Sequence, residues 1–255
     1  FGRVNYTLMD KYILTASLRR DGSSKFGKNH QWGTFPSVSA AWQMKEESFL
    51  KDVAFLDDLK FRIGYGTSGN QDGLDPYLSL ALYGRSGQYY DNGKWYSAYE
   101  FAQNENPNLK WEETSMFNVG FDYSFLKGRI NGSIEYYNKN TDDLLYTYSV
   151  PQPPYLKATM MANVGSMSNK GFEVLLSGDI IRKNDLRWTM TVNFAHNKNE
   201  ITSLSNENFT TSSIKTGSAW IRGGSNNTTH IVEEGKEVGT FYGWVCKGLD
   251  ENGKY

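Results

Sequence analysis

Four stretches of the chain alternate apolar and polar positions. Leu59, Phe61, Ile63 and Tyr65 alternate with Lys60, Arg62, Gly64 and Gly66. Phe117, Val119, Phe121, Tyr123 and Phe125 alternate with Asn118, Gly120, Asp122 and Ser124. Phe172, Val174, Leu176 and Ile180 are set against Glu173, Ser177 and Asp179, and Trp188, Met190, Val192 and Phe194 against Arg187, Thr189, Thr191 and Asn193. Weaker versions lie at Val4–Leu8, Tyr12–Leu18, Val38–Trp42 and Ile130–Tyr136. A period of two is the signature of a strand with one apolar and one polar face, not of a helix.

The connections differ in size. Asp10, Leu126-Lys127-Gly128 and Lys183-Asn184-Asp185 read as tight turns, and 44–58 as a modest connection with one helical turn at Glu46–Lys51. Between them lie long polar connections at 21–33, 69–110, 142–167 and 201–238, read as structureless. Short and long connections thus alternate, the pattern of an up-and-down outer-membrane barrel with turns at one end and loops at the other. On this reading 21–33 and 142–167 share an end. Tyr12, Trp42, Phe125 and Trp188 all sit at the short-turn end with the parity of the apolar face, where an interfacial girdle belongs. Ordinary core aromatics of a soluble sandwich are the competing explanation. Five of the six prolines fall in the long connections, and Pro36 touches a strand near its start.

Composition is compatible with this. Hydrophobic residues make up 38% and aromatic residues 15%, as in a soluble all-β protein or a membrane barrel whose wet lumen dilutes the average. No apolar run approaches the ~20 residues of a transmembrane helix. The net charge of -1 points to neither nucleic acid nor an acidic surface. A lone Cys246 argues against a disulfide framework and against a cysteine-built zinc site. The chain opens on Phe1 and ends on Lys254-Tyr255, and is read as an excerpt of a longer protein.

Nothing in the chain points to catalysis or a cofactor. Gly64-Tyr65-Gly66-Thr67-Ser68-Gly69 matches G-x-G-x-x-G, but Asn70-Gln71-Asp72-Gly73 follows where a dinucleotide site needs a helix N-terminus. Asp250-Glu251-Asn252-Gly253 reads as a tight turn, since its glycine is misplaced for a calcium loop. His30, His196 and His230 are isolated. The acid pairs Glu46-Glu47, Asp57-Asp58 and Asp142-Asp143 are read as solvated, because adjacent residues on a strand point apart.

Several segments carry a family resemblance. Arg19–Gly27 with Trp32–Ser39, Leu59–Gln71, Asn106-Pro107-Asn108-Leu109-Lys110-Trp111-Glu112, Asn118–Asp122 through Asn138–Leu145, Asn163–Met167 with Asn169–Glu173, and Gly239–Gly243 come in order. Together they resemble the barrel of TonB-dependent outer-membrane transporters of the SusC/RagA family, least clearly in 72–105 and 201–230. The resemblance implies an all-β, antiparallel up-and-down transmembrane β-barrel of 22 strands around an N-terminal plug. This chain would be one part of that barrel domain, an open curved sheet of eight strands with a ninth near Thr240–Val245, lacking the plug and the closing strands. The implied partners are a SusD-like surface lipoprotein, the TonB complex through the missing N-terminal region, a glycan or peptide ligand, and outer-membrane lipid.

Within that frame the outward apolar residues face hydrocarbon, and Lys60, Arg62, Asp122, Glu135 and Glu173 face a wet lumen or a plug. In the 69–110 loop Tyr89, Tyr90, Trp95, Tyr96 and Tyr99 are candidate substrate or lid contacts, or pack the loop on itself, and Trp220 and Arg222 in 201–238 carry the same alternatives. Active import of glycan oligosaccharides or peptides is the function implied. A passive porin or structural barrel and a soluble carbohydrate-binding β-module are the alternatives.

Overall fold

The computed structural model describes residues 1–206, 210–218, 227–245, 248 and 251. Trp220, Arg222, Cys246 and, apart from Glu251, the Asp250–Gly253 turn lie outside the described residues.

The period-two stretches form β1 (Gly2–Leu8), β2 (Tyr12–Gly22), β3 (Trp32–Gln43), β4 (Leu56–Asn70), β7 (Glu112–Phe125), β8 (Ile130–Asp142), β11 (Ser166–Lys183) and β12 (Leu186–Ser203). They make one 8-stranded antiparallel sheet in the order β1-β2-β3-β4-β7-β8-β11-β12. The sheet is open, and its strands lie in chain order, with the strands between β4 and β7 and between β8 and β11 left out of it.

Register places the apolar residues together. Directly opposed residues share a face, and one row reads Leu8, Tyr12, Trp42, Phe61, Phe121, Ile134, Val174, Phe194. The row one step above reads Tyr6, Leu14, Ala40, Ile63, Val119, Tyr136, Phe172, His196. Across its middle no described residue packs on this apolar face, and Ile134, Val192 and Phe194 are 49%, 45% and 55% exposed, whereas at the short-turn end the 44–55 segment covers part of it, with Glu47 bonded to Tyr12 and Trp42 and Phe55 stacked on Phe125. The opposite face carries Arg62, Gly120, Glu135, Glu173 and Ala195 in one row. In β11 the pairing skips Ile180, so Ile181 rather than Ile180 stands opposite Trp188.

The glycines of the G-x-G-x-x-G match lie inside β4 and serve packing. A Cβ on Gly69 would come within 2.1 Å of the Phe35 ring, and one on Gly66 within 2.9 Å of Ser37 Cβ. No helix follows them, so no helix N-terminus is available for a phosphate.

The connections sort by end. The 23–31, 71–111 and 143–165 segments meet in one buried cluster of Phe26, Leu74 and Leu109, packed by Trp111, Leu145 and Met161. The 21–33 and 142–167 regions therefore share an end. At the other end the short turns meet: Gly128 N–H donates to Asp57 Oδ2 at 2.9 Å, and Arg182 Nη1 to Lys127 O at 3.0 Å. Length alone does not sort them, since 44–55 is longer than 23–31. The 44–55 segment holds a 3-10 turn at Met44–Glu46 and helix α1 at Ser48–Lys51.

The long connections are not structureless. The second carries a hairpin of β5 (Leu82–Asp91) and β6 (Lys94–Gln103), and the third carries β9 (Leu145–Ser149) with β10 (Thr159–Asn163). In the fourth lie β13 (Ser213–Thr216) and β14 (His230–Glu233), which form a 3-stranded sheet with β15 (Thr240–Phe241) just beyond it. The expected ninth strand near Thr240–Val245 is thus a two-residue bridge to β14, and it does not extend the large sheet.

Candidate functional site

The polar face of the large sheet carries an ion network. Arg62 donates from Nε to Asp122 Oδ2 at 2.9 Å, and from Nη2 to Asp122 Oδ1 at 3.0 Å and Glu135 Oε2 at 3.3 Å. Lys60 Nζ reaches Asp122 Oδ2 at 3.1 Å, and Asn118 Nδ2 donates to Glu135 Oε1 at 3.3 Å. Arg62 on β4 and Glu135 on β8 are separated by β7, where the intervening residue is Gly120. A Cβ there would stand 3.4 Å from Arg62 Nη2 and 2.9 Å from Ile134 O. The missing side chain is what lets the guanidinium cross a strand. Four of the five charged residues expected on this face are thus joined. Glu173 lies opposite Glu135 in register, is exposed, and has no ion-pair partner among the described residues.

Above the sheet the connections build a cap stitched by asparagines. Asn104 donates to Lys157 O and Thr159 O at 2.7 and 2.9 Å and accepts from the Leu156 and Lys157 N–H groups. Asn106 donates to Met161 O at 2.8 Å. Asn163 exchanges hydrogen bonds with Lys110 on both its amide oxygen and nitrogen. Each amide satisfies backbone groups that an irregular segment leaves unpaired, so the cap is bound by polar side chains as well as by the Phe26–Leu109 cluster. Beside these staples opens a cavity of about 860 Å³ lined by Phe101, Asn104, Asn106, Lys110, Tyr155 and Asn163, among others. A second, of about 580 Å³, is lined by Tyr146, Tyr148, Tyr155 and Lys215, among others. Burial pushes the Tyr148 hydroxyl up to about 12, with Tyr146 adding to the shift, and that hydroxyl donates to Val164 O at 2.9 Å.

The five candidate aromatics of the second loop all lie on the β5–β6 hairpin, on two faces. Tyr90, Trp95 and Tyr99 share one with Tyr83 and Phe101; Tyr89 and Tyr96 share the other and stack with centroids 5.6 Å apart. None of the five lines either cavity, although Phe101 at the hairpin root lines the larger. The cavity-lining asparagines were missed because asparagine in a loop reads as turn chemistry. The hairpin itself was announced by Asn92-Gly93, both with positive φ, at its tip.

At the short-turn end Tyr12 and Trp42 are paired in register and stacked at 6.3 Å. Glu47 accepts from Tyr12 Oη at 2.7 Å, Trp42 Nε1 at 3.1 Å and Lys11 Nζ at 3.1 Å. The acid pairs are therefore not simply solvated. Glu47 is held here, Asp57 accepts from Gly128, and Asp143 pairs with Lys110 at 2.7 Å. The Tyr12 hydroxyl first, then Lys11 and the Trp42 indole, hold the Glu47 carboxyl below its ordinary value. A depressed carboxylate stabilises the fold fully above the ordinary value of about 4.3 and loses that contribution as pH falls through the folded value. Wild type should therefore unfold at a higher temperature than Glu47→Gln at neutral pH, with the gap closing below about pH 4. A gap independent of pH in detergent-solubilised protein would refute the assignment.

Three comparisons place this geometry. Residues 1–235 match the family described as "TonB dependent receptor-like, beta-barrel". The TonB-dependent receptor SusC of Bacteroides thetaiotaomicron is 40% identical over 256 residues, covering 100% of this chain and 25% of that protein. The TonB-dependent receptor P39 of Formosa agariphila is 36% identical, covering 98% of the chain and 22% of that protein. Among solved structures, the RagAB peptide transporter aligns with a TM-score of 0.82 at 27% identity, over 98% of this chain and 26% of that one. The chain thus spans about a quarter of the length of the relatives it matches.

Proposed function

Since the chain belongs to the TonB-dependent receptor-like β-barrel family, we propose that it forms eight neighbouring strands of an outer-membrane barrel whose whole protein imports a glycan or peptide with energy from TonB. The observation that carries this reading is the division of the large sheet. One face is apolar on all eight strands and, beyond the short-turn end, left uncovered by the described residues, as lipid contact requires, and the other holds a fixed network of opposite charges, as a wet lumen or plug contact requires. Lys60, Arg62, Asp122, Glu135 and Glu173 belong to the lumen side. The cap closes part of the outer mouth, where a SusD-like lipoprotein would sit, and its amide-lined cavity and the hairpin aromatics are the surfaces offered to ligand. Glycan and peptide both suit this lining, because amides bond hydroxyl and peptide groups alike and aromatic faces stack on either. The reading assigns transport and no catalysis.

The test uses the full-length protein in its own host. Deletion should abolish uptake of labelled oligosaccharide or labelled peptide, and a protonophore should block that uptake in the wild type. Uptake that survives the protonophore would replace active import with a passive channel. Spin labels at Phe121 and Val192 should report lipid, and water exposure at both would overturn the face assignment.

A further inference from the structure

The apolar face ends at a chemical boundary away from the short turns. On β12 the residues of outward parity run Trp188, Met190, Val192, Phe194, His196, Lys198 and Glu200. On β11 the same face passes from Leu176, Val174 and Phe172 to Lys170. Lys170 and Lys198 are directly opposed in register, both are exposed, and both lie on the apolar face one row above Phe172 and His196. Trp188 and Lys198 are ten residues apart on one strand, about 34 Å along it. That is the length a tilted strand needs to cross an apolar band about 25 Å tall. On β3 the outward residues Trp42 and Trp32 are spaced the same way, and Arg20 of β2 lies over Trp32 at 5.2 Å. Two like charges opposed across a ladder repel. Glu200 pairs with Lys198 at 3.0 Å, with Glu237 also drawing on Lys198, while Lys170 feels Glu200 across the ladder but makes no ion pair among the described residues.

We propose that Lys170 and Lys198 form a headgroup site for a phosphorylated glycolipid of the outer leaflet, with its phosphate between the two ammonium groups and its acyl chains on Phe172, Val192 and Phe194. The proposal rests on the membrane reading of the apolar face. Phosphate removes the repulsion between the lysines and supplies an anion to the unpaired one, and its acyl chains cover the aromatics directly below. A free anion would use only the charges and leave those aromatics bare.

The experiment uses the full-length protein in phosphatidylcholine nanodiscs, titrated with bisphosphorylated lipid A, dephosphorylated lipid A or inorganic phosphate, and reads the thermal midpoint. Bisphosphorylated lipid A should raise the midpoint of the wild type and the other two should not. Lys170→Gln combined with Lys198→Gln should weaken the apparent affinity about ten-fold or more, as the loss of two cations at a headgroup implies. Lys139→Gln, on the opposite face of β8, should leave it unchanged, and Glu200→Gln should strengthen it by freeing Lys198. If the double variant does not fold, Lys170→Gln alone and Glu200→Gln carry the test, with opposite signs. Equal stabilisation of wild type and Lys170→Gln, or by dephosphorylated lipid A, overturns the proposal. Stabilisation by inorganic phosphate assigns the lysines to a free anion and overturns the lipid. A spin label at Val192 that still reports lipid separates either failure from a failure of the membrane reading.

Discussion

Phe26→Ala will destabilise the protein by about 3–5 kcal/mol, the range for deleting a fully buried aromatic ring. Phe26 is 1% exposed, its ring lies 4.6 Å from that of Trp111, and it packs with Leu74 and Leu109. Its segment cannot relax into the vacated space. Gly27 N–H is bonded to Leu109 O at 2.8 Å, Ser79 Oγ is bonded to Phe26 O at 3.3 Å, and a Cβ on Gly27 would stand 1.8 Å from Pro107 O. The cavity therefore persists, and three connections lose their common anchor at once. Tyr90→Ala, an aromatic removed from the exposed hairpin, should cost under about 0.5 kcal/mol. Unfolding of the full-length variants in detergent measures both, and limited proteolysis should cut Phe26→Ala first within 71–111 or 143–165. Equal losses for the two variants would refute the anchoring role.

The isolated 255-residue chain should aggregate in aqueous buffer. Its large sheet is open, so the outer edge of β1, and that of β12 below Ile201 (whose N–H and C=O bond to Lys236 and Gly235), each present a row of edge N–H and C=O groups with no strand beside it among the described residues, which a barrel avoids only by closure. Its apolar face is bare: Val4, Leu14, Val38, Phe194 and Trp188 are among the exposed large side chains. Each such residue gains about 1.5–3 kcal/mol on leaving water, and in the isolated chain only another copy can supply that burial. The buried clusters lie in the cap, so they cannot hold the sheet in solution. Sizing chromatography without detergent should give large particles, with a β-rich species recovered in detergent. A sharp monomer with cooperative unfolding would favour a soluble module over a membrane sheet.

The eight long strands and their two faces were legible because parity is local information and register only propagates it. Phe61 pairs with Phe121 because both already belong to the apolar set. What could not be read depended on contacts between distant segments. Arg62, Asp122 and Glu135 were recognisable as one face, but the crossing of β7 depends on the missing Cβ of Gly120. Glu47 looked like half of a solvated pair, since nothing in its own segment announces Tyr12 and Trp42 beside it. The β5–β6 hairpin is signalled by Asn92-Gly93 and the flanking aromatics, but composition alone left those aromatics open between substrate contact, lid contact and packing of the loop on itself, and only the pairing shows them packing across the hairpin. Thr240–Phe241 has strand composition, and its partner in β14 is a property of the cap that composition does not carry.

The offset of the aromatic boundary against the register fixes how steeply the strands lean. From Trp42 on β3 the row of opposed residues arrives five strands later at Phe194, whereas the boundary on β12 is Trp188, six residues further down. At about 3.4 Å per residue and about 4.8 Å per strand, that offset corresponds to an inclination of about 40° to the membrane normal. Opposed residues therefore lie at different depths. The row from Arg62 through Gly120 and Glu135 reaches Glu173 three strands on, about 9 Å further from the short-turn boundary. The charges of the polar face therefore form a rising ramp, with Lys60 nearest the short turns and Glu173 furthest from them.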